Sequence, residues 1–209
     1  MALPKPTPRD TKVWPKHPAG SFQLLLADVI YLGHRVTEWK GTRKAQERVA
    51  FIWQSLEIEP ESHKRFELAT EFTYSVYDRA TLRGFLETWL GAFGSEAEAE
   101  AALTSIDKRI GENVIGTIVH KKSEDGKKVY VNVTAVSPLM KGMQPQSVVG
   151  YDRNKFWTEK TAKYHADYHL WLAEQQQEQA AQEERLEDFP AALENGGEPD
   201  DLPFDGGSR

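Results

Sequence analysis

The amino-acid sequence predicts a mostly β fold with added helices and an acidic C-terminal tail. Apolar and polar residues alternate over 65–77, which is the period of a half-buried strand. Over 78–91 the apolar period changes to that of an amphipathic helix. After Leu186 acidic residues, glycine and proline dominate, and such a segment buries too little apolar surface to fold.

The first half of the chain contains a proline-rich arm and three strands. Residues 1–19 are rich in proline and basic side chains, which indicates an extended arm. Strands are predicted over 21–33, 48–58 and 65–77, where apolar and β-branched residues concentrate. The polar, basic stretch 34–47 is predicted to be a loop between the first two strands.

Two helical segments and a hairpin come next. Asp78 is placed to cap the first helix and Gly91 to end it. Ser95 is placed to cap the second helical segment, whose first turn is acidic. Asp125 and Gly126 stand between two β-branched runs, which is a strong signal for a hairpin that joins a fourth strand over 113–122 to a fifth over 127–139.

The order β-β-β-α-β-β matches a five-stranded, partly open Greek-key barrel, the OB-fold. The predicted organisation is an OB-fold nucleic-acid-binding domain over 20–140, a linker over 141–152, a helical extension over 153–186 and a disordered acidic tail over 187–209. The order of elements permits this topology but does not fix it.

Charge is unevenly distributed along the chain, whose formal net charge is −6. From Trp171 to Arg209 eleven acidic residues accompany only two arginines, so this end carries −9. Residues 1–170 therefore carry +3. A mildly basic body with a strongly acidic end is typical of a protein with a polyanionic partner or an interaction tail.

Several classes of protein are excluded by what the sequence lacks. There is no cysteine, so neither disulfides nor thiolate metal sites can form. The N-terminal segment has no apolar signal-peptide core, and no run of about 18 apolar residues occurs. We expect a cytoplasmic protein with no membrane partner, located in the host cytoplasm if a phage encodes it.

Recognisable catalytic motifs are also missing. The sequence contains no phosphate-loop, dinucleotide-binding, hydrolase or zincin motif. His165 and His169 share a helix face but lack a third metal ligand. The tail carboxylates have no rigid scaffold to give the fixed geometry that acid–base catalysis needs. The sequence therefore predicts a protein that is not an enzyme and that uses no cofactor and no metal.

Aromatic and basic residues are interleaved in two predicted loops and on neighbouring strands. Single-stranded nucleic acid binds where cations follow the phosphates and exposed rings stack on bases, each worth about 1–3 kcal/mol. The residues predicted to bind nucleic acid are Arg35, Trp39, Lys40, Arg43, Lys44, Arg48, Trp53, Tyr74, Tyr77, Lys121, Lys122, Lys127, Lys128 and Tyr130. Trp39 carries the most weight, because a tryptophan in a basic loop has little core to join.

The roles of several strand aromatics depend on which face of the sheet they occupy. Phe51, Phe66 and Phe72 are predicted to be core residues. Trp53 and Tyr74 are either core or stacking residues, because their faces depend on a register that the sequence does not fix.

The acidic tail contains the sequence "EPDDLPFD" over 198–205. This motif resembles the acidic tip of bacterial single-stranded DNA-binding proteins. The matching residues, predicted to bind partner proteins, are Asp200, Asp201, Leu202, Pro203 and Phe204. In such a tip the acidic residues steer the tail to basic pockets and the phenylalanine fills an apolar one. In that family the phenylalanine is terminal, whereas "DGGSR" comes after Phe204 here.

The body of the chain carries a second resemblance. Over roughly 18–143 it is similar to phage-encoded proteins from replication and recombination gene clusters, most specifically at "TYSVYDRATLRGFLETW" (73–89). Those proteins are taken to be OB-fold single-stranded DNA-binding proteins, and the resemblance implies that fold and role. It supplies no map of binding residues.

These features predict a DNA-binding protein that coats single-stranded DNA during phage-type replication, recombination and repair. Its expected partners are single-stranded DNA and the replication or recombination proteins that the tail recruits. Helix 153–186 is a candidate surface for a homodimer. The alternative is a protein-interaction adaptor or inhibitor whose acidic tail mimics DNA.

Overall fold

The computed structural model of the chain describes residues 15–123 and 125–187. Its strands are β1 (Gly20–Trp39), β2 (Thr42–Ile58), β3 (Arg65–Thr73), β4 (Asn113–Lys122) and β5 (Val129–Pro138). Its helices are α1 (Thr81–Leu90), α2 (Glu96–Thr104) and α3 (Lys155–Glu187), and a 3₁₀ turn, Ile106–Arg109, comes after α2. The chain divides into two compact units between Tyr168 and His169. None of the helices in the described ranges combines the length and the apolarity needed to cross a membrane.

The five strands form one antiparallel sheet in the order β3-β2-β1-β4-β5. This confirms the prediction of a mostly β fold with helices. Within the described residues no backbone ladder closes the sheet between its edge strands β3 and β5. The two edges nevertheless approach each other, because the Thr70 hydroxyl donates a hydrogen bond of 3.4 Å to the Val133 carbonyl.

Strands β1 and β2 extend beyond the other strands as a two-stranded ribbon. The stretch 34–47 was predicted to be a loop, and that prediction is wrong: both strands continue through it, and only Lys40 and Gly41 form the turn. Both turn residues have positive φ, 49° and 78°, as in the type I′ turns that match the twist of paired strands. Hydrophobic alternation did not reveal the ribbon because much of it is exposed.

One face of the sheet packs against α1 and forms the main core. Its buried residues include Leu24, Phe51, Phe72, Phe85, Trp89 and Val133. The prediction that Phe51 and Phe72 belong to the core is confirmed. Phe66 is half-buried and packs edge-on against the His17 ring, with 5.1 Å between centroids.

A glycine is required where β4 crosses β1. A Cβ added to Gly116 would lie only 2.2 Å from Cδ1 of Leu24, a contact that real Cβ atoms do not make. The β1–β4 ladder is short, with residues 20–25 paired to 113–118, so Gly116 stands near its centre. Close packing of the core face against β4 therefore depends on the missing side chain.

The helix caps agree only partly with the sequence prediction. The Ser95 hydroxyl accepts a hydrogen bond of 3.2 Å from the Glu98 amide, so the predicted cap of α2 is confirmed. Asp78 does not cap α1; its carboxylate instead forms an ion pair of 2.8 Å with Arg83. Gly91 ends α1 as predicted, at a φ of 91°.

Residues 15–19, the described part of the predicted N-terminal arm, include a buried histidine. The His17 Nδ1 lies 2.8 Å from the Pro18 carbonyl oxygen, so this nitrogen carries the hydrogen and donates it. The Nε2 atom then accepts from the Ser55 hydroxyl at 2.7 Å. Burial lowers the pKa of His17 below its ordinary value, so the ring is neutral at pH 7. The arm is therefore anchored to the sheet at this point.

The segment predicted to be a linker is bound to the outer face of the sheet, the face opposite α1. We call residues 144–154 the strap. The Asn113 side chain donates to the Gln146 carbonyl and accepts from the Gln146 amide, both at 2.9 Å. The Gln54 side chain does the same for Val149, at 2.7 and 2.9 Å. The Gln23 amide and the Arg65 guanidinium also donate to strap carbonyls, those of Gln144 and Ser147, so side chains of the sheet replace a strand ladder in holding the strap.

The end of the strap is held by a charged contact. The Asp28 carboxylate accepts two hydrogen bonds from the Arg153 guanidinium, at 2.7 and 2.9 Å, and one from the Tyr151 hydroxyl at 2.8 Å. Burial would raise the pKa of Asp28, but these hydrogen bonds outweigh it and hold the pKa below its ordinary value. This bidentate contact ties the strap to β1 two residues before α3 begins.

Candidate nucleic-acid interface

The end of the β1–β2 ribbon gathers three cations on an ordered turn. We call residues 40–44 the ribbon tip. Lys40, Arg43 and Lys44 are all exposed there, as the predicted binding role requires. The backbone of Trp39 pairs with Thr42 directly beside the turn, while its side chain lies outside what the structure describes. A stacking role for Trp39 therefore stays a prediction.

Two of the predicted arginines, Arg35 and Arg48, lie several residues away from the turn, where Arg35 faces α3 and Arg48 contacts β3. The Arg35 guanidinium lies 5.8 Å from the centroid of the Tyr164 ring on α3. Arg48 is half-buried and donates a hydrogen bond of 2.9 Å to the Thr73 hydroxyl. Burial lowers the pKa of Arg48, and the nearby Glu71 carboxylate opposes that shift. Arg48 therefore has a structural role that the sequence did not reveal, whereas Arg35 stays exposed beside α3.

A second group of cations surrounds the turn between β4 and β5. We call residues 121–128 the β4–β5 tip. Its exposed lysines are Lys121, Lys122, Lys127 and Lys128. The Ser123 hydroxyl donates to the Asp125 carboxylate at 2.5 Å, and the Lys127 amide donates to the same oxygen at 3.1 Å. These hydrogen bonds lower the pKa of Asp125 and order the turn.

The outer face of β4 and β5 presents an exposed aromatic ring beside a cation. Tyr130 is paired across the strands with Lys121, and Val119 is paired with Asn132. We call these four residues the Tyr130 face. The Tyr130 side chain is 51% exposed, whereas Val133 on the opposite side of the same strand is buried. An exposed ring next to an ammonium group is the combination that stacks on a base and binds a phosphate.

The prediction that Trp53 stacks on a base is wrong. Its side chain is 0% exposed. The register pairs it with Leu68, and both point into the core. Its ring centroid lies 5.6 Å from that of Trp89 and 6.1 Å from that of Phe85. The choice of face that the sequence left open is therefore settled in favour of packing.

The outer face of β2 and β3 is covered. Trp157 and Tyr164 of α3 are buried in a second apolar cluster that includes Ile30, Ile52 and Leu32 of the sheet. Beside this cluster Lys160 forms an ion pair with Glu71 of β3. The chain itself therefore occupies the outer face of β2 and β3.

The two predicted tyrosines near the end of β3 differ in exposure. Tyr77 lies beyond the strand, which ends at Thr73, and is 68% exposed. Tyr74 is half-buried and packs edge-on against Tyr31, with 5.6 Å between ring centroids.

Tyr31 is an exposed ring that sequence reasoning missed. It is 49% exposed although it stands in an apolar run of β1. No sequence pattern marks its exposure, because irregular register at 26–28 and 31–33 shifts the faces of the strand.

The remaining predicted residues receive no structural description. Asp200, Asp201, Leu202, Pro203 and Phe204 lie outside the described residues, so their role in partner binding stays a prediction. Within 15–123 and 125–187 no cluster of three or more histidine, aspartate or glutamate side chains is suited to holding a metal ion.

Comparison with known proteins supplies no identity. The chain matches no protein-family model, and a search of curated proteins finds no match to it.

Proposed function

We propose that the chain is a single-stranded DNA-binding protein of the OB type, without catalytic activity. DNA would pass over the ribbon tip, the β4–β5 tip and the Tyr130 face. The observation that carries this proposal is the exposed Tyr130 ring, paired with Lys121 beside a tip that bears three further lysines. Its role would be to coat exposed strands in replication and recombination, in the cytoplasm of the cell that contains it.

The sheet supports the proposal of an OB barrel through its strand order and its edges. A partly open Greek-key barrel of five strands brings its edge strands close without requiring a full ladder. The hydrogen bond from Thr70 to Val133 and the shared burial of Leu68 with Val133 are consistent with that closure. The helix α1 comes after β3 and before β4, which is the order expected from the sequence.

The position of the DNA differs from that expected for the fold. Because α3 and the strap occupy the outer face of β2 and β3, this face is not available to bases in the described arrangement. The two hairpin turns stay exposed, and turns of this kind also bind oligonucleotides in OB-folds. The proposal therefore assigns the cations to the turns and the stacking to β5.

The acidic tail would recruit partners rather than bind DNA. Its motif at 200–204 combines steering charge with an apolar anchor. Deleting residues 198–209 should leave oligonucleotide affinity unchanged or raise it, because the removed charge is negative. A loss of affinity on this deletion would contradict the division of roles.

The proposal is tested by titrating the chain into fluorescently labelled oligo-dT at two salt concentrations. Affinity should fall steeply between about 50 and 200 mM salt, because phosphate contacts release counterions. Tyr130→Ala should weaken binding by about tenfold or more, and Tyr130→Phe should not, because a lost stacking ring costs about 1–3 kcal/mol.

The matched control for the tip lysines is Lys108, an exposed lysine on the 3₁₀ turn. Lys121→Ala combined with Lys122→Ala should reduce both affinity and the salt slope, whereas Lys108→Ala should change neither. Absence of oligo-dT binding by the unaltered chain would refute the proposal and favour the adaptor alternative.

A further inference from the structure

A pocket of about 410 Å³ opens beside Tyr31, between the sheet and the end of α2. We call it the Tyr31 pocket. Its apolar lining is formed by Val29, Val49, Leu103 and Ile106. Its other lining residues are Tyr31, Tyr74, Glu47, Thr104 and Asp107. The lining therefore combines an apolar base, two aromatic rings and two carboxylates.

The charge of the Tyr31 pocket is opposite to that of the proposed DNA surface. Glu47 and Asp107 line it, and no lysine, arginine or histidine is among the lining residues that the structure describes. Two carboxylates in a lining that contributes no cation repel phosphate groups. A nucleic-acid strand is therefore a poor occupant, and a cationic group is a good one.

Two tyrosine rings lie beside one of the carboxylates. Tyr31 and Tyr74 meet edge-on at 79°, so their ring faces point in different directions. The Tyr31 hydroxyl donates a hydrogen bond to the Glu47 carboxylate, which holds that carboxylate beside the ring. Burial raises the pKa of Tyr31 to about 12, and Glu47 adds to the shift, so the hydroxyl stays protonated and continues to donate. Cations bind favourably against tyrosine faces and to carboxylates.

We propose that the Tyr31 pocket binds the guanidinium or ammonium group of an arginine or lysine side chain from a partner protein. The apolar lining favours a side chain over an inorganic cation or a free amine, because the aliphatic stem of arginine or lysine gains by burial while its charged end meets the carboxylates. This binding is independent of the proposed DNA binding, since Tyr130 and the lysines of the two tips do not line the pocket.

The test uses the full chain with ¹³C-labelled tyrosine and two short peptides observed by NMR. The first peptide is acetyl-Gly-Arg-Gly-amide, and the second carries citrulline, which has nearly the same shape but no charge. The arginine peptide should shift the ring signals of Tyr31 and Tyr74 saturably, and the citrulline peptide should not. Equal shifts with both peptides, or no saturable shift, would overturn the proposal.

Variants then locate the binding. Glu47→Gln keeps an acceptor for the Tyr31 hydroxyl but removes the charge. This variant should bind the arginine peptide about tenfold more weakly. Asp107→Asn should also lower the affinity for the arginine peptide. Glu67 lies outside the pocket, so Glu67→Gln should leave this affinity unchanged. Unchanged affinity in Glu47→Gln, with an unchanged melting temperature, would refute the assignment.

A third titration uses deoxycytidine monophosphate, because its amino group could also donate a hydrogen bond to a carboxylate of the pocket. It should leave the Tyr31 and Tyr74 signals unshifted. If this nucleotide shifts them and the arginine peptide does not, the pocket is a nucleobase site and the proposal is wrong. That result would leave the oligo-dT titrations untouched, so the two proposals fail separately.

Discussion

The outer face of the sheet is covered over β2, β3 and the start of β4, where Asn113 holds the strap, and is bare at the far end of the β4–β5 hairpin. On the covered half, Ile52 packs in a cluster with Trp157 and Tyr164, and Gln54 holds the strap. On the bare half, Tyr130 and Val119 are exposed. The difference comes from the strap and α3, which lie after β5 in the chain. The segments after β5 thus determine which part of the outer face stays accessible to solvent.

The largest effect is expected from removing Trp157, the buried α3 side chain that packs on the covered half of the sheet. Trp157→Ala should lower the free energy of unfolding by about 3–5 kcal/mol, because the buried ring leaves a cavity against the sheet. The neighbouring Phe156 is 59% exposed, so Phe156→Ala is a matched control that should change it by less than about 1 kcal/mol. Urea unfolding followed by circular dichroism measures both. Equal effects of the two substitutions would show that Trp157 does not anchor α3 to the sheet.

The charged end of the strap should give the next largest effect. Asp28→Asn should cost about 2–3 kcal/mol, because it removes charge-assisted hydrogen bonds to Arg153. The folded-state pKa of Asp28 lies below its ordinary value of 3.8, so its contribution is present above pH 3.8 and is lost as the pH falls through the folded pKa. Measuring the free energy of unfolding of the unaltered chain and of Asp28→Asn as the pH is lowered tests this expectation. Asp152→Asn, at an exposed carboxylate next to the same contact, is the control, and an equal loss there would contradict the assignment.

A smaller loss is expected at the middle of the strap. Gln54→Ala leaves the Val149 amide and carbonyl without their side-chain partner and should cost about 1–2 kcal/mol. Hydrogen exchange at the Val149 amide should become faster. Asn132→Ala, an amide on the bare half, is the matched control and should leave exchange at Val149 unchanged. If exchange at Val149 is the same in Gln54→Ala, the strap is held by other contacts.

The bare half should show the smallest effect on stability. Tyr130→Ala should change the unfolding free energy by less than about 0.5 kcal/mol, because the side chain is half in solvent and joins no buried cluster. The same variant is expected to weaken oligo-dT binding markedly. A large loss of stability would assign Tyr130 to packing and remove the observation on which the proposed function rests.

Local patterns in the sequence predicted the elements that local interactions determine. The span of β4 was obtained to the residue, because its β-branched run ends at a turn with Asp125 and Gly126. The cap at Ser95 was also found, since it needs only a hydroxyl three residues before its donor. The ribbon was missed because an exposed strand pair has no required alternation of apolar residues.

Contacts between segments that are distant in the chain could not be predicted from the sequence, for physical reasons. The face of Trp53 depends on a register with Leu68 that a one-residue slip would reverse. The strap was predicted to be a linker because its contacts run from sheet side chains to its own backbone, which any sequence can supply. Of the predicted site, the tip lysines, Arg35 and Tyr130 lie at exposed positions, whereas Arg48 is half-buried and bonded to Thr73.

Gly116 has a consequence for the part of the molecule that would meet DNA. Beyond the six residue pairs that join β4 to β1, the β4–β5 hairpin projects without support from β1, and Tyr130 stands on the projecting part. Any side chain at 116 would push Leu24 and β4 apart at the root of this projection. The absence of a side chain at 116 therefore permits the close packing of β1 against β4 from which the hairpin with Tyr130 projects, fourteen residues later in the chain.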